Sequence, residues 1–412
     1  MSGGTDASSR TAPKTAATPT PILLPRRSPT WVFALIAVLI LVVAAVFVGY
    51  EEHWFGGSSS AATSCGSAVT LQGDGAQIVV PLMAQWEAAY NTATGNQVNY
   101  PGSGSGTGLT DFSEHPPLLD FAVTDDPLDS AETAALPSAA LTLPITSGAL
   151  AIIYNVPGVS VHLNLTGPVI AEIYLGTITN WNDSAIRAIN PGVSLPNATI
   201  TTVHRSDSAG TTYVLTDFLS QGSAAWNSTV GKGIAISWPK APTQTAVKGN
   251  SAVLSTVETT ADTLGYSDLT DVLLAKNPVA YAAVQNPKGN FIVPTLASTA
   301  SAITDKTATT SFPTSSGNWY NVSMVNAQGA ADYPLATFIY MYVYQAANEG
   351  FQPDLTKAQV IVQWLDWALT TGQTYSNATG LYYVALPSAV VAIDDSGIQT
   401  MTFNGKAIPA CS

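Results

Sequence analysis

Residues 200–220, ITTVHRSDSAGTTYVLTDFLS, constrain the fold most, because they run from a β-branched strand through a polar turn into an amphipathic helix. The turn places Arg205 and Asp207 beside the small residues Ala209 and Gly210. Backbone N–H groups at a helix start have no partner within the helix and can converge on an anion. Arg205 adds a planar fork of donors, which Asp207 can hold in place. An ordinary N-capped helix with a surface ion pair is the competing interpretation.

The same order of strand, turn and helix recurs along the chain, which predicts an α/β fold with parallel or mixed sheets. The segment PLMAQWEAAY at 81–90 has helical periodicity, and Pro81 suits the first turn of that helix. We expect strands at 69–71, 121–124, 150–154, 201–203 and 338–344, and a late helix at 360–369.

Two more glycine-containing turns have the same character. The turn GDGAQI at 73–78 follows the first strand, and GSGSGTG at 102–108 follows the second. Both precede helical patterns, so both can direct backbone donors into a crevice at the strand ends. A flexible Gly-Ser loop is the alternative for the second turn.

The third strand leads into DFAVTDDPL and places Asp125 at its end. A carboxylate beside anion-binding turns can accept a hydrogen bond from a protonated oxyanion such as hydrogen phosphate. It repels an oxyanion that carries no proton, such as sulfate. The residue types therefore indicate a site that selects an anion by its proton.

Composition excludes several classes of protein. The 412 residues are 46% hydrophobic, which is enough for two domains with sizeable cores. The net charge of −13 argues against nucleic acid as a partner, and only 10% charged residues suit an extracytoplasmic protein. The sequence holds no GxSxG elbow and no HExxH helix, so we expect no enzyme and no metal site.

Residues 31–50, WVFALIAVLILVVAAVFVGY, predict a single transmembrane helix. Twenty uncharged residues at about 1.5 Å rise each match a hydrocarbon core of about 30 Å. Arg26 and Arg27 precede the segment and Glu51 and Glu52 follow it, so the N-terminus should be cytoplasmic and the main domain extracellular. A cleaved export signal is the alternative, and it also exports the main domain.

The flanking segments differ in character. Residues 1–30, rich in Ser, Thr, Ala and Pro, predict a disordered cytoplasmic tail, and residues 51–67 predict a flexible linker. Cys65 and Cys411 bracket the exported domain, and an even cysteine count outside the cell favours a disulfide between them. Lipid modification of Cys65 is the competing interpretation.

With GSGSGTG, DFAVTDDPL and HRSDSAGTT in this order, the chain resembles the phosphate-binding proteins of the high-affinity phosphate ABC importer, the PstS family. The resemblance extends over most of residues 68–390. It includes EIYLGTITNW at 172–181, INPG at 189–192, VKGNSAV at 247–253, LGYSDL at 264–269, DYPLATF at 332–338, QWLDWAL at 363–369 and the pair Leu386 and Pro387.

The resemblance implies a two-lobed, type II periplasmic-binding-protein fold, with chain crossings near Pro144 and Pro334. One lobe would combine residues 68–145 with 333–412, and the other would comprise residues 146–332. It also implies that inorganic phosphate is captured between the lobes and delivered to an ABC permease and its ATPase, by a monomer without a cofactor. A surface sensor or adhesive module of the same fold, binding another oxyanion or no ion, is the alternative.

The family's phosphate ligands carry over to individual positions of this sequence, and three positions depart from the family pattern. Gln77 and Ile78 stand where the family usually has threonine and phenylalanine, and Ala209 stands where it has serine. Ile78 retains the backbone N–H through which the phenylalanine acts, but Gln77 and Ala209 each lose a hydroxyl, so we expect altered affinity or selectivity. Asp207 matches the acid that orients the arginine. The matching phosphate-binding positions are the backbone N–H of Ile78, and Ser105, Asp125, Arg205, Gly210 and Thr211.

Overall fold

The computed structural model describes residues 65–378 and 380–411. The predicted tail at 1–30, the predicted span at 31–50 and the linker up to residue 64 lie outside the described residues. None of the described helices combines the length and the apolar character needed to cross a bilayer.

Helices and short strands alternate along the described chain. The helices are α1 Val80–Thr94, α2 Ser105–Ser113, α3 Ser130–Ala135, α4 Gly167–Tyr174, α5 Ser184–Ile189, α6 Gly210–Gly222, α7 Ala224–Thr229, α8 Asn250–Thr259, α9 Leu269–Leu274, α10 Leu296–Thr309, α11 Leu355–Leu369 and α12 Ser388–Ile398. The strands are β1 Thr70–Gly75, β2 Gln97–Asn99, β3 Phe121–Thr124, β4 Ala140–Asn155, β5 Asn164–Leu165, β6 Thr201–Arg205, β7 Gln244–Val247, β8 Thr263–Asp268, β9 Ala280–Tyr281, β10 Ala283–Gln285, β11 Phe291–Ile292, β12 Ala336–Tyr344, β13 Thr402–Phe403 and β14 Lys406–Ala407. Single 3-10 turns lie at Gln77–Val79, Ala347–Glu349 and Thr371–Tyr375.

The main sheet is mixed, in the order β2-β1-β3-β12-β4-β8-β6-β7, with β9 also paired to β4. Strand β1 is parallel to β2 and β3, and β6 is parallel to β7 and β8. Between these parallel groups, β12 and β4 run antiparallel to each other. The predicted α/β class with mixed sheets is therefore confirmed.

Two hydrophobic cores divide the described chain into two lobes. Trp86, Phe121 and Trp364 are buried in the first core, and Trp181 and Trp226 in the second. Strand β4 passes from one core to the other, because its early residues pack in the first core and its late residues in the second. This is the two-lobed architecture that the sequence predicted.

The segment before the second crossing packs on both cores. Ala302, Ile303 and Trp319 are buried in the first core, although the division expected from the sequence assigned residues 146–332 to the second lobe. Val325 and Leu335 are buried in the second core. Apolar side chains on α10 and the loop after it therefore cover the first lobe before the chain returns to it through β12.

The predicted disulfide is confirmed. Cys65 and Cys411 are bonded, with 4.7 Å between their Cα atoms and a sequence separation of 346. The bond joins the first described residue to the last, and so closes nearly the whole two-lobed domain into one loop.

A candidate anion-binding cleft between the lobes

Arg205 is the buried cation at the centre of the cleft. It ends β6, and its side chain is only 2% exposed. Its Nε and Nη2 atoms donate to the two carboxylate oxygens of Asp207 at 2.8 and 2.6 Å. Burial disfavours the ionised form of Asp207, but the hydrogen bonds and charge of Arg205 outweigh this and hold its pKa below the ordinary value. The predicted pairing of Arg205 with Asp207 is thus present as a bidentate contact.

Asn250 holds the other side of the guanidinium group. Arg205 Nη1 donates to Asn250 Oδ1 and, at 3.4 Å, to Thr211 Oγ1. The amide of Asn250 donates in turn to Asp268 Oδ2 at 3.0 Å, and the backbone N–H of Arg205 donates to the Tyr266 hydroxyl at 3.1 Å. Sequence reasoning did not identify Asn250 as a site residue. Asn250 lies in the segment VKGNSAV, which formed part of the family resemblance but was given no role.

The start of α6 supplies backbone donors beside the arginine. Ala209 precedes the helix and has no side-chain oxygen to cap it, so the first N–H groups are left for other acceptors. The N–H of Gly210 donates across the cleft to Ser105 Oγ at 3.2 Å, and Thr211 is 2% exposed. A serine at position 209 would add a hydroxyl to this group of donors.

The glycine-rich loop of the first lobe faces this turn directly. Gly104 has φ 113°, a left-handed value that favours glycine, and its N–H donates to Gly75 O at 2.7 Å. The N–H of Gly106 donates to Ser208 O at 3.4 Å. A Cβ on Gly106 would lie 2.3 Å from the Cβ of Ser208, so only glycine permits this approach. The loops from the two lobes therefore meet across a closed cleft.

Asp125 is a buried carboxylate with an unfilled acceptor. It follows β3 and is 2% exposed, and its Oδ1 atom has no hydrogen-bond partner among the described residues. Burial raises its pKa to about 7, against the opposing attraction of Arg205. A Cβ on Gly210 would lie 2.6 Å from Asp125 Cγ, so this carboxyl group lies directly beside the start of α6. Because buried acceptors are normally paired, the Oδ1 atom of Asp125 is free to accept a hydrogen bond from a ligand in the cleft.

The first turn of the first lobe contributes Gln77 and Ile78. Gln77 does not lie free in the cleft, because its Oε1 atom accepts the backbone N–H of Asn250 at 2.8 Å. Ile78 is buried in the 3-10 turn, and its carbonyl accepts the hydroxyl of Tyr383 at 2.6 Å. The structure thus joins this turn to the arginine network of the second lobe.

These contacts bring the sequence-predicted residues together. Ser105 contacts Gly210, Gly210 lies against Asp125, and Thr211 contacts Arg205. The three turns identified from the sequence therefore meet at one place rather than at separate surfaces. The part that each residue takes in holding an ion stays a prediction.

Comparison with known proteins identifies the class and then the family. A model described as the PBP superfamily domain matches residues 59–371, so the chain belongs to that superfamily of two-lobed proteins. It is 35% identical over 325 residues to the phosphate-binding protein PstS of Xylella fastidiosa, covering 78% of this chain and 83% of that protein. The PstS protein of Pasteurella multocida is 34% identical over 325 residues, covering 79% and 88%. The chain is a member of the PstS family.

A solved structure supports the fold. The high affinity periplasmic phosphate-binding protein PfluDING, bound with phosphate, matches at a TM-score of 0.62 and 19% identity, covering 82% of this chain and 99% of that one. The two relatives named above are described as binding proteins, in agreement with the expectation that this chain is not an enzyme.

Proposed function

We propose that this chain captures inorganic phosphate between its two lobes and delivers it to an ABC permease and its ATPase. The observation that carries the proposal is the unfilled Oδ1 atom of Asp125 beside the start of α6 and the Arg205 guanidinium. Two relatives named phosphate-binding protein PstS, each more than 30% identical to this chain over most of its length, support the proposal.

The chemistry of the cleft suits an anion that carries a proton. The hydroxyl of Ser105 and the guanidinium of Arg205 can donate to a phosphate oxygen. The N–H of Gly210, which donates to Ser105 Oγ, would exchange that acceptor for the ion. The N–H of Thr211, and that of Ile78 at the start of its 3-10 turn, add backbone donors. Each charge-assisted bond is worth about 1.5 to 3 kcal/mol in a closed cleft that excludes water.

Asp125 gives the site its selectivity. Its ionised carboxylate accepts the P–OH proton of hydrogen phosphate, whereas sulfate has no proton to offer. Two negative oxygens would then face each other in a buried place where water does not screen them. The proposed site therefore rejects sulfate by repulsion rather than by size.

The membrane anchor remains part of the proposal. The uncharged segment 31–50 supports a single span with a cytoplasmic N-terminus, an extracellular two-lobed domain and a linker at 51–67. A tether of this kind keeps the protein near its permease and raises its effective concentration there. We propose that the chain acts there as a monomer, with one lobe formed by residues 68–145 plus 333–412 and the other by residues 146–332, of which Ala302, Ile303 and Trp319 pack on the first lobe.

Titration calorimetry with phosphate and with sulfate tests the proposal. We expect phosphate to bind with a dissociation constant of about 1 μM or below and sulfate to bind far more weakly. Asp125→Asn should lose most of this discrimination, and Arg205→Ala should abolish tight binding. Arg187→Ala is the matched control, because Arg187 is exposed at the end of α5. Equal affinities for the two ions in the wild-type protein would refute the proposal.

A further inference from the structure

Helix α8 of the second lobe has no cap of its own. The residue before it is Gly249, which has φ 89° and offers no side-chain oxygen to the helix. The N–H of Gly249 donates to Asp207 Oδ1 at 3.3 Å. The next N–H, that of Asn250, donates instead to Oε1 of Gln77, which is 173 residues away in the first lobe.

Gln77 fits this place closely. A Cβ on Gly249 would lie 3.3 Å from both Oε1 and Nε2 of Gln77, so the amide group lies against the glycine. Helix caps are normally serine, threonine, aspartate or asparagine from the residue just before the helix. Here the acceptor comes from the opposite side of the cleft, so it can be in place only while the lobes are together.

The hydrogen bond between Gln77 and Asn250 also links Gln77 to the buried Arg205. The side-chain oxygen of Asn250 accepts a hydrogen bond from Arg205 Nη1, and its amide nitrogen donates to Asp268. Gln77 therefore connects the first lobe to the group that holds Arg205 in position. A threonine at position 77 would carry its hydroxyl two atoms nearer its own backbone, which would leave it short of this N–H.

We propose that Gln77 is a positioning residue that caps α8 when the lobes close and thereby slows release of the bound anion. This inference rests on the proposed capture of phosphate. It assigns the amide oxygen of Gln77 to the opposite lobe and not to the ion. Opening the cleft breaks the bond between Gln77 and Asn250, whereas entry of the ion into the open cleft does not depend on it.

Release of radiolabelled inorganic phosphate from the full-length chain tests the proposal. Gln77→Met keeps the length of the side chain and removes its acceptor. We expect phosphate release to become about two- to tenfold faster, with the association rate unchanged, as befits the loss of one neutral hydrogen bond. Gln97→Met is the matched control, because Gln97 lies exposed on β2 and its side-chain oxygen accepts a hydrogen bond from the exposed Thr70, far from the cleft contacts of Gln77.

Hydrogen exchange separates this proposal from the proposed function. In the phosphate-saturated chain, where the lobes are held together, the peptide at the start of α8 should exchange faster in Gln77→Met than in the wild type or in Gln97→Met. Unchanged exchange there, or unchanged release of phosphate, would overturn the role of Gln77. A slower association with unchanged release would also overturn it, since the amide would then act on the entering ion. A wild-type chain that binds no phosphate would refute the proposed function, whereas a wild-type chain that binds phosphate, with exchange and release unchanged in Gln77→Met, would overturn only the role of Gln77.

Discussion

Replacing Asp125 with asparagine should stabilise the phosphate-free protein at alkaline pH and change little in acid. Burial raises the pKa of Asp125 to about 7, against the attraction of Arg205, from an ordinary value of 3.8. The folded protein therefore binds this proton more tightly than the unfolded chain does. The contribution of Asp125 to the free energy of unfolding is greatest below pH 3.8, falls as the pH rises to about 7, and is level above that.

The size of the effect follows from the difference between the two pKa values. About three pH units at about 1.4 kcal/mol each give about 4 kcal/mol for ionising Asp125 in the closed cleft. Asparagine has nearly the same shape and no charge to bury. The stability gained by Asp125→Asn should therefore grow from near zero at about pH 4 to at most about 4 kcal/mol at about pH 8. This figure is an upper limit, because separation of the lobes can return the carboxylate to water without unfolding either lobe.

Urea unfolding of the full-length protein, stripped of phosphate and followed by tryptophan fluorescence, measures this difference at several pH values. Saturating phosphate serves as the internal control: the P–OH group of the bound ion donates a hydrogen bond to the ionised carboxylate, so at alkaline pH phosphate should stabilise the wild type more than the variant. The reasoning fails if the stability difference between wild type and variant is the same in acid and in alkali. It fails equally if asparagine destabilises the phosphate-free protein at about pH 8.

Three further outcomes follow from the same contacts. The preference for phosphate over sulfate should shrink below pH 7, because a protonated Asp125 can donate a hydrogen bond to sulfate. Calorimetry at several pH values measures the ratio of the two affinities, and a ratio that does not change with pH would contradict this. Gly210→Ala should weaken phosphate binding at least about tenfold, since its Cβ would lie 2.6 Å from Asp125, whereas Gly222→Ala on the same helix meets only an ordinary 3.6 Å contact and should bind normally. Replacing Cys65 and Cys411 together with serine should lower the free energy of unfolding by about 2 to 5 kcal/mol, and a reducing agent should then affect the wild type but not the variant.

Local patterns in the sequence predicted most of the elements that carry the site. Strand β6 begins at Thr201 as expected, and α6 begins at Gly210, within the predicted turn. The contact between Arg205 and Asp207 could be predicted because the two residues are only two positions apart in sequence. The disulfide followed from a count of two cysteines in an exported domain. Each of these inferences depends on residues that are close in sequence or, for the disulfide, on there being one other cysteine in the sequence to pair with.

Contacts that depend on the packing of distant segments could not be predicted. Asn250 lies 45 residues from Arg205, and nothing in the sequence near either residue indicates that they meet. The partner of Gln77 is the backbone N–H of that same residue, a group that every residue except proline carries. Trp319 joins the first core from a stretch assigned to the second lobe, because a buried aromatic residue does not reveal which of two cores it fills.

The charges in the cleft explain why neutral donors and a single proton can govern its specificity. Asp207 is bonded to Arg205 through both oxygens, so the positive charge at the centre is already balanced within the chain. Asp125 adds a negative charge when it ionises, and the protein as a whole carries −13. The field of the chain therefore does not draw in anions in general. Affinity must come from short-range donors such as the N–H of Gly210 and the hydroxyl of Ser105, which are fixed in a closed cleft. Because the charge of Arg205 is already paired within the chain, one contact at Asp125 Oδ1, attractive to a protonated anion and repulsive to an unprotonated one, is large enough to decide which tetrahedral anion stays bound.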